Sequence, residues 1–196
     1  MYVLLETDRI LLRRLTEADA ELLCQLDSDP EVMRYLNGGF PTPPDVMRDT
    51  ILPAWLRHYE RPGEFGYWAA EDRTAGDFLG WFALHPSDGR PSSDVEIGYR
   101  LRRSAWGRGL ATEGARALLR KGFEQPEVAR IFGTTYEENF GSRRVMEKAG
   151  MTLVRRYRPE PSGLASPGSY VTISEEPWDG DDLEYAIERE EWERLG

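Results

Sequence analysis

Residues 94–117 constrain the fold more than any other part of this chain. Asp94–Leu101 has the composition of a β-strand, and the residues after the next glycines keep apolar positions at helical spacing. Between them lies the sequence W-G-R-G-L-A, residues 106–111. Glycine lets a backbone approach a ligand closely, and the first N–H groups of a helix have no intrahelical partner. A strand, a glycine-rich turn and a helix start therefore predict a site for phosphate.

Two common phosphate-binding motifs do not match this turn. A P-loop requires a lysine after its glycines, and none follows Gly107 and Gly109. A dinucleotide-binding fingerprint requires G-x-G-x-x-G directly after the strand, whereas Thr112 replaces the third glycine and residues 102–106 precede Gly107. The G-x-G pattern alone is equally compatible with a connector that only packs a helix on a sheet.

Three segments, in this order along the chain, resemble the GCN5-related N-acetyltransferases (GNAT family). The turn resembles the family's pyrophosphate motif, Gln/Arg-x-x-Gly-x-Gly/Ala, with Trp106 at the first position as in the branch that includes the ribosomal-protein N-acetyltransferases. The other segments are T-D-R-I-L-L-R-R-L-T-E-A-D-A and N-F-G-S-R-R-V-M-E-K-A-G-M. The resemblance covers residues 6–157 and the strand 183–189. It implies an α/β (α+β) fold with a mixed, mostly antiparallel sheet, helices on both faces and a splayed central strand pair.

The length of the chain predicts one domain, residues 1–196, with an irregular acidic insertion at 158–182. The acidic cluster of this insertion comprises Glu175, Glu176, Asp179, Asp181 and Asp182. Two interpretations of the insertion remain open. It either overhangs the acceptor site and favours a cationic amine, or it is a solvated flap.

Composition excludes several classes of protein. A net charge of −10 disfavours a nucleic-acid binder. Apolar runs are too short for a bilayer span and the start lacks a signal-peptide pattern, which predicts a cytoplasmic protein that binds no membrane. The single cysteine, Cys24, lies in an apolar helical pattern that predicts a buried thiol, and one cysteine with two histidines makes a metal site improbable.

Hydrophobic periodicity predicts alternating strands and helices after an antiparallel start. Predicted strands are 9–15, 66–71, 77–84, 94–101, 128–136, 151–157, 170–174 and 183–189. One predicted helix begins after Thr16 and a short helical turn begins at Pro30 and ends near Leu36. The glycines and prolines of residues 38–44 break the chain, and a longer helix follows to about Tyr59, with a kink or division at Pro53. Two further helices are predicted, one after the glycine turn and one at 139–149. The end of the chain, 190–195, is predicted to be a charged tail.

The resemblance implies acetyl-CoA as cofactor, with no metal. Its pyrophosphate is expected on the turn and its pantetheine arm between the splayed strands. The implied cofactor-binding residues are Tyr99, Leu101, Trp106, Gly107, Arg108, Gly109, Leu110, Ala111, Thr112, Asn139 and Ser142. Asn139 is alternatively a helix cap, and a surface position is the simpler interpretation of Arg102, Arg103 and Arg108.

Acyl transfer to an amine requires a neutral amine, a stabilised oxyanion and a leaving thiolate. Glu96 is the candidate base, directly or through a water, because it lies on the motif strand; alternatively it pairs with Arg100 or Arg102. The resemblance implies the N–H of Leu101 as oxyanion donor. Where many family members place a tyrosine to protonate the thiolate, this chain has Met146, which leaves Ser142 and Tyr136 as candidates.

The acceptor is not determined by the sequence. In the resembled family the N-terminal helices form one wall of the acceptor cleft, so Tyr35, Phe40, Trp55 and Tyr59 are candidate substrate-binding residues, with core packing as the alternative for each. The expected activity is direct acetyl transfer to a primary amine, either a protein N-terminus or a small molecule. The alternative is a CoA-binding sensor or scaffold without catalysis, and the chain is a monomer or a homodimer in either case.

Overall fold

One mixed sheet forms the centre of the protein. The computed structural model describes residues 1–61, 63–87, 89–158 and 180–195, and within them eight strands form a sheet of order β1-β2-β3-β4-β5-β6-β8-β7. The strands are β1 Val3–Glu6, β2 Ile10–Arg14, β3 Gly66–Asp72, β4 Phe78–Pro86, β5 Asp94–Leu101, β6 Arg130–Tyr136, β7 Thr152–Tyr157 and β8 Asp182–Glu188. All neighbours are antiparallel except β5 and β6, so the predicted mixed, mostly antiparallel sheet is confirmed.

Helices cover both faces of this sheet, as predicted. They are α1 Ala20–Asp27, α2 Pro30–Asn37, α3 Pro44–Val46, α4 Leu52–Leu56, α5 Leu110–Phe123, α6 Phe140–Ala149 and α7 Arg189–Leu195. Helices α1 to α4 pack on one face, where the core contains Leu23, Trp55 and Trp81. Helices α5 and α6 pack on the other, where it contains Phe82 and Leu118. Among the described residues, no helix combines the length and apolar character needed to cross a bilayer.

The predicted break at Pro53 takes the form of a change in helix type. Residues 44–60 are helical throughout, but Met47–Ile51 form a π-helical turn between α3 and α4, and Arg57–Glu60 form a 3₁₀ turn. Proline lacks an N–H and its ring crowds the carbonyl four residues earlier. The wider π turn directly before Pro53 accommodates both effects without ending the helix.

The end of the chain differs from the prediction. The expected charged tail is helix α7, whose first residue, Arg189, fixes it to the end of α5 and to the connection between α5 and β6. The Arg189 guanidinium donates to the backbone carbonyls of Phe123, Gln125 and Val128 at 2.6–2.9 Å. Trp192 stacks on the Phe123 ring with centroids 5.7 Å apart. These partners are about 60 residues away in sequence, so no local pattern reveals them.

Strands β5 and β6 separate part-way along their length. Their parallel pairing is limited to three residue pairs and ends at Glu96 and Phe132. Strand β5 continues to Leu101 and β6 to Tyr136, while each keeps its outer neighbour. The predicted splay is therefore present in the sheet. The predicted strand 170–174 and the acids Glu175, Glu176 and Asp179 lie outside the described residues.

Candidate active site

A cavity of about 130 Å³ lies in the gap between β5 and β6. Residues 97–100 line it from β5 and residues 134–136 line it from β6. Because neighbouring residues of a strand point to opposite faces, these runs supply lining on both faces of the sheet. The gap therefore connects the face covered by α5 and α6 with the face covered by α1 to α4.

On the α6 side, polar groups surround the gap. Asn139, Ser142 and Met146 line it together with Tyr99. The Tyr99 hydroxyl donates to the Ser142 carbonyl at 3.1 Å and lies 3.1 Å from the Ser142 hydroxyl oxygen. The Ser142 N–H donates to Asn139 Oδ1 at 3.1 Å, so Asn139 caps α6 and lines the cavity at once. Burial raises the pKa of Tyr99 and keeps its hydroxyl protonated.

The two candidates for thiolate protonation both reach this cavity. Tyr136 and Ser142 line it, whereas the buried Met146 side chain carries no transferable proton. Burial raises the pKa of Tyr136, and the charge of Asp182 raises it further. The phenol therefore holds its proton at neutral pH, as a group that protonates a thiolate must.

On the α2 side, a buried ion pair forms the wall of the gap. Arg100 lines the cavity beside Trp81, and its guanidinium binds the Asp27 carboxylate on α1. The second Asp27 oxygen accepts a hydrogen bond from the Thr42 hydroxyl at 2.6 Å. The Arg100 and Asp27 side chains are 5% and 2% exposed. Arg100 thus has a carboxylate partner on another element, and this pair ties α1 to β5.

Glu96 lies at the closed end of the gap, where β5 still pairs with β6. Its carboxylate accepts a hydrogen bond from the Ser87 hydroxyl at 3.2 Å. Glu96 does not itself line the cavity, but Gly98 on the same strand face does. Two residues span about 6.8 Å of strand, and glycine places no side chain in that interval. The geometry therefore fits the predicted base acting through a water rather than directly.

The aromatic residues predicted for the acceptor cleft divide between the cavity and the core. Tyr35 lines the cavity. Trp55 is 1% exposed and stacks on Tyr67 with ring centroids 4.3 Å apart, which places it in the core instead. The Tyr59 hydroxyl donates to the Tyr67 carbonyl, and its ring also packs on the core. Phe40 is 68% exposed and lies outside the lining. Segment 44–60 directs the Trp55 and Tyr59 rings onto β3 and β4, whereas Phe40 precedes that segment.

The glycine-rich turn has the backbone that its sequence predicts. Gly107 and Gly109 adopt left-handed conformations, with φ of 71° and 78°. Gly109 is the N-cap of α5, and the Glu113 N–H donates to its carbonyl at 3.0 Å. The N–H groups of residues 110–112 precede this bond in the first turn of the helix. They are the amides available to an anion at the helix start.

Trp106 fastens this turn to the end of β5. Its indole N–H donates to the Leu101 carbonyl at 2.7 Å, while the side chain is 47% exposed. The Arg102 N–H donates to the Leu79 carbonyl on β4 at 2.9 Å. Because successive backbone groups alternate in direction, the Leu101 N–H points away from β4 and towards the gap. This is the orientation that an oxyanion donor requires.

The side chains of the turn have different surroundings. Leu110 is buried in the core and Ala111 packs against it, so these residues offer only backbone groups to a ligand. Thr112 lines an open basin beside the helix start. The half-exposed Arg108 guanidinium approaches Asp72 only at 4.0 Å.

A cluster of hydrogen bonds, here called the Arg9 clamp, holds the glycine-rich turn and is not predicted by the sequence. The Arg9 guanidinium donates to the Glu113 carboxylate at 2.6 Å and to the Arg108 carbonyl at 2.8 Å. The Thr7 hydroxyl and the Arg9 N–H donate to the other Glu113 oxygen at 2.6 and 3.0 Å. Burial opposes ionisation of Glu113, but these hydrogen bonds outweigh it and lower its pKa. Both ends of the clamp belong to the resemblance segments, yet no sequence pattern joins positions 104 residues apart.

The basin beside α5 has a volume of about 760 Å³ and a mostly basic rim. Its charged lining residues are Arg9, Arg73, Arg116, Arg120 and Lys148, with the acids Glu6, Asp8 and Glu113. It borders the clamp and the first turn of the helix. This surface offers positive charge next to the amides that a phosphate would use.

Asp182 belongs to the acidic cluster that the sequence analysis assigns either to the acceptor site or to a solvated flap, and no sequence pattern singles it out from the other four acids. It lies at the start of β8, opposite Tyr136, and lines the cavity. Burial, and then the charge of Asp181, raise its pKa to about 6. Asp181 itself is bound to the Arg156 guanidinium at 2.5 Å. The two adjacent acids therefore have different environments.

Neither a cysteine nor a metal ligand cluster is part of this site. Cys24 is a half-buried free thiol on α1, outside the cavity lining, and burial raises its pKa. A protonated thiol is a poor nucleophile. Across residues 1–61, 63–87, 89–158 and 180–195, no three His, Cys, Asp or Glu side chains are grouped to hold a metal ion.

Known proteins resemble this chain in sequence and in fold. The acetyltransferase (GNAT) domain family matches residues 9–152. The chain is 32% identical to the FsC-acetyl coenzyme A-N(2)-transacetylase of Aspergillus fumigatus over 97% of its own length and 78% of that protein. Among solved structures, a probable acetyltransferase superposes with a TM-score of 0.76 at 27% identity, covering 98% of this chain and 99% of the other.

A further solved structure with this fold contains coenzyme A. The ribosomal alpha-N-protein acetyltransferase RimL, in complex with coenzyme A, superposes with a TM-score of 0.71 at 17% identity, covering 95% of this chain and 97% of that one. The match to the GNAT domain spans the strand, the glycine-rich turn, the helix and the splayed strand pair. This chain therefore belongs to the GNAT family of acetyltransferases, enzymes that use acetyl-CoA.

Proposed function

We propose that the protein transfers an acetyl group directly from acetyl-CoA to a primary amine, which is a small molecule or a protein N-terminus. The observation that carries the proposal is the gap between β5 and β6, which joins the two faces of the sheet next to the glycine turn. A thioester entering from one face and an amine entering from the other meet in such a gap. The half-buried Cys24, outside the lining, supports transfer without an acetyl-cysteine intermediate.

The cofactor path begins at the turn. The pyrophosphate is proposed to lie on the amides of residues 107–112, and the basic rim of the neighbouring basin supplies further positive charge. The pantetheine arm then runs past Asn139 and Ser142 into the gap. Its thioester carbonyl lies near Leu101, whose N–H is directed into the gap and can stabilise the oxyanion.

The reaction needs one proton to leave the amine and one to reach the thiolate. The amine nitrogen attacks the thioester carbonyl carbon, the carbon–sulfur bond breaks, and the thiolate leaves. Glu96 accepts the amine proton through a water placed over Gly98. Tyr136 or Ser142 donates a proton to the thiolate, which has a reference pKa near 8.5 and so needs little assistance. The absence of a side chain at Gly98 and the cavity position of Tyr136 support these roles.

A screen of amine acceptors tests this proposal. We expect thiol release from acetyl-CoA to depend on an amine, with the acetylated amine detected by mass spectrometry. The panel comprises peptides with free N-termini, polyamines, amino sugars and amino acids. Coenzyme A should also raise the melting temperature, since a ligand that binds only the folded state stabilises it. A melting shift without acetylation of any amine would indicate a binding module and contradict the proposal.

The Arg9 clamp provides a second test. Replacing Arg9 with methionine removes the donors to Glu113 and to the Arg108 carbonyl, and so loosens the glycine turn. Because the pair is partly exposed, we expect a loss of about 1 kcal/mol in cofactor binding, or about a fivefold rise in the KM for acetyl-CoA. Steady-state kinetics at saturating amine measure this change. The matched control is Arg48→Met, since Arg48 lies on an exposed helical surface and should leave the KM unchanged. Equal values for both variants would show that the clamp does not order the turn.

A further inference from the structure

Asp182 differs from the buried acids of this protein. Each fully buried carboxylate in the part of the chain that the structure describes has a basic partner: Asp19 binds Arg13, Asp27 binds Arg100, and Glu184 binds Arg90 and Arg130. Asp182 is partly buried and faces the cavity, but no Lys, Arg or His within the described residues pairs with it. A carboxylate taken out of water without a partner is costly. Such a group at a reaction gap indicates that its partner arrives with the substrate.

The groups around Asp182 leave its open side to the cavity. Tyr136 lies opposite it on β6 and Tyr157 opposite it on β7. On β8, Glu184 is bound to Arg90 and Arg130. Asp181, directly before the strand, is bound to Arg156, and the Arg158 guanidinium lies 3.8 Å from its other oxygen. Across the cavity are the Tyr35 ring and Arg100, whose guanidinium binds Asp27. The surroundings are thus aromatic rings, hydroxyls and neutralised charges, which suit an alkylammonium group.

We propose that Asp182 binds the ammonium form of the acceptor amine and positions it at the gap before its proton leaves. This proposal rests on the proposed function and specifies its substrate class: primary amines that carry a positive charge when they bind. The ammonium nitrogen would donate to the Asp182 carboxylate, with its carbon chain between Tyr35 and Tyr136. The proton then passes to Glu96, so Asp182 acts in binding and Glu96 acts in the chemical step.

Substitution of one carboxylate by its amide tests the proposal. In D182N, a hydrogen bond between two charges becomes a weaker one, so the KM for the amine should rise about 10–100-fold. The KM for acetyl-CoA and the melting shift given by coenzyme A should stay the same. The control is Glu138→Gln, which removes the same charge from an exposed residue that does not line the cavity. D182E, which keeps the charge, should recover part of the affinity.

The effect should depend on pH in a specific direction. The pKa of Asp182 is raised to about 6, so its carboxyl is neutral below that pH and charged above it. Between pH 5 and pH 7.5 a lysine-like amine stays protonated and an α-amino group stays mostly protonated, with reference pKa values of about 10.4 and 7.7–8.0. The ratio of the amine KM of D182N to that of the unmodified enzyme should therefore be about five to ten times smaller at pH 5, where roughly a tenth of Asp182 is ionised, than at pH 7.5.

Stability provides a readout that is independent of activity. Since folding raises the pKa of Asp182 above its ordinary value, folding favours the protonated form, and stability falls as pH rises through about 6. D182N should therefore melt at a higher temperature than the unmodified protein at pH 7.5, and at the same temperature at pH 4. A lower melting temperature for D182N at pH 7.5 would mean that a cation of the protein itself satisfies the carboxylate, which would overturn the proposal.

Kinetic outcomes separate this inference from the proposed function. If the enzyme acetylates amines but D182N keeps the same amine KM at pH 7.5, the inference is wrong and the function stands. If D182N raises the KM equally at pH 5 and pH 7.5, the effect is steric and the inference is also wrong. If no amine is acetylated at all, the proposed function fails first.

Discussion

Replacing Asp27 with alanine is expected to lower the free energy of unfolding by about 3–5 kcal/mol, because it leaves the Arg100 guanidinium buried without its carboxylate. The side chain of Arg100 is 5% exposed, so water cannot replace the lost partner. Thr42 also loses the acceptor for its hydroxyl. Urea denaturation followed by circular dichroism measures the change. In the fraction that folds, the released guanidinium can turn into the cavity, and we expect a higher KM for a cationic amine.

Two further variants show whether the unpaired charge of Arg100 causes the loss of stability in Asp27→Ala. Asp49→Ala removes a carboxylate from an exposed ion pair on the nearby helical segment and should change stability by no more than about 0.5 kcal/mol. Adding Arg100→Met to Asp27→Ala removes the stranded charge and should restore about 1–3 kcal/mol. If the double variant is less stable than Asp27→Ala alone, packing around the pair, and not its charge, determines the loss.

Features set by neighbouring residues could be predicted from the sequence. Asn139 caps α6 and Gly150 ends it with a φ of 100°, as their positions around an apolar helical pattern indicate. The hairpin between β3 and β4 and the glycine turn before α5 follow from the same kind of local evidence. The splayed strands came from the resemblance alone, since no local pattern specifies where β5 and β6 stop pairing.

Features that join distant parts of the chain could not be predicted in this way. Arg100 and Asp27 are 73 residues apart, and only the packing of α1 on the sheet brings them together. Trp55 has the same apolar character as a cleft residue, but its helix turns it into the core. Asp182 follows an acidic run in sequence, and only its pairing opposite Tyr136 places it at the gap. The sequence therefore predicts which chemical groups the chain contains, whereas the positions of these side chains in space depend on how the helices and strands pack.

Replacing Glu96 with glutamine is expected to lower kcat at pH 7 by about a hundredfold or more, with little change in coenzyme A affinity. Glutamine keeps the size of the side chain and can still accept the hydrogen bond from the Ser87 hydroxyl, but it cannot accept a proton. The strand and the turn that hold the cofactor should be unaffected. Steady-state assays of thiol release give kcat, and the rise in melting temperature with coenzyme A measures whether the cofactor still binds.

The pH dependence distinguishes a base from a residue that only positions the amine. An α-amino group has a reference pKa of about 7.7–8.0, so the free amine becomes abundant without assistance as pH rises. The ratio of the kcat of the unmodified enzyme to that of E96Q should therefore be largest at pH 6 and decrease towards pH 9. The control is Asp94→Asn, which removes a carboxylate from the same strand at the end that pairs with Arg130, away from the gap. A ratio that is constant across pH 6–9 would assign Glu96 a positioning role and require another proton acceptor at the gap, with Asp182 as the carboxylate that lines it.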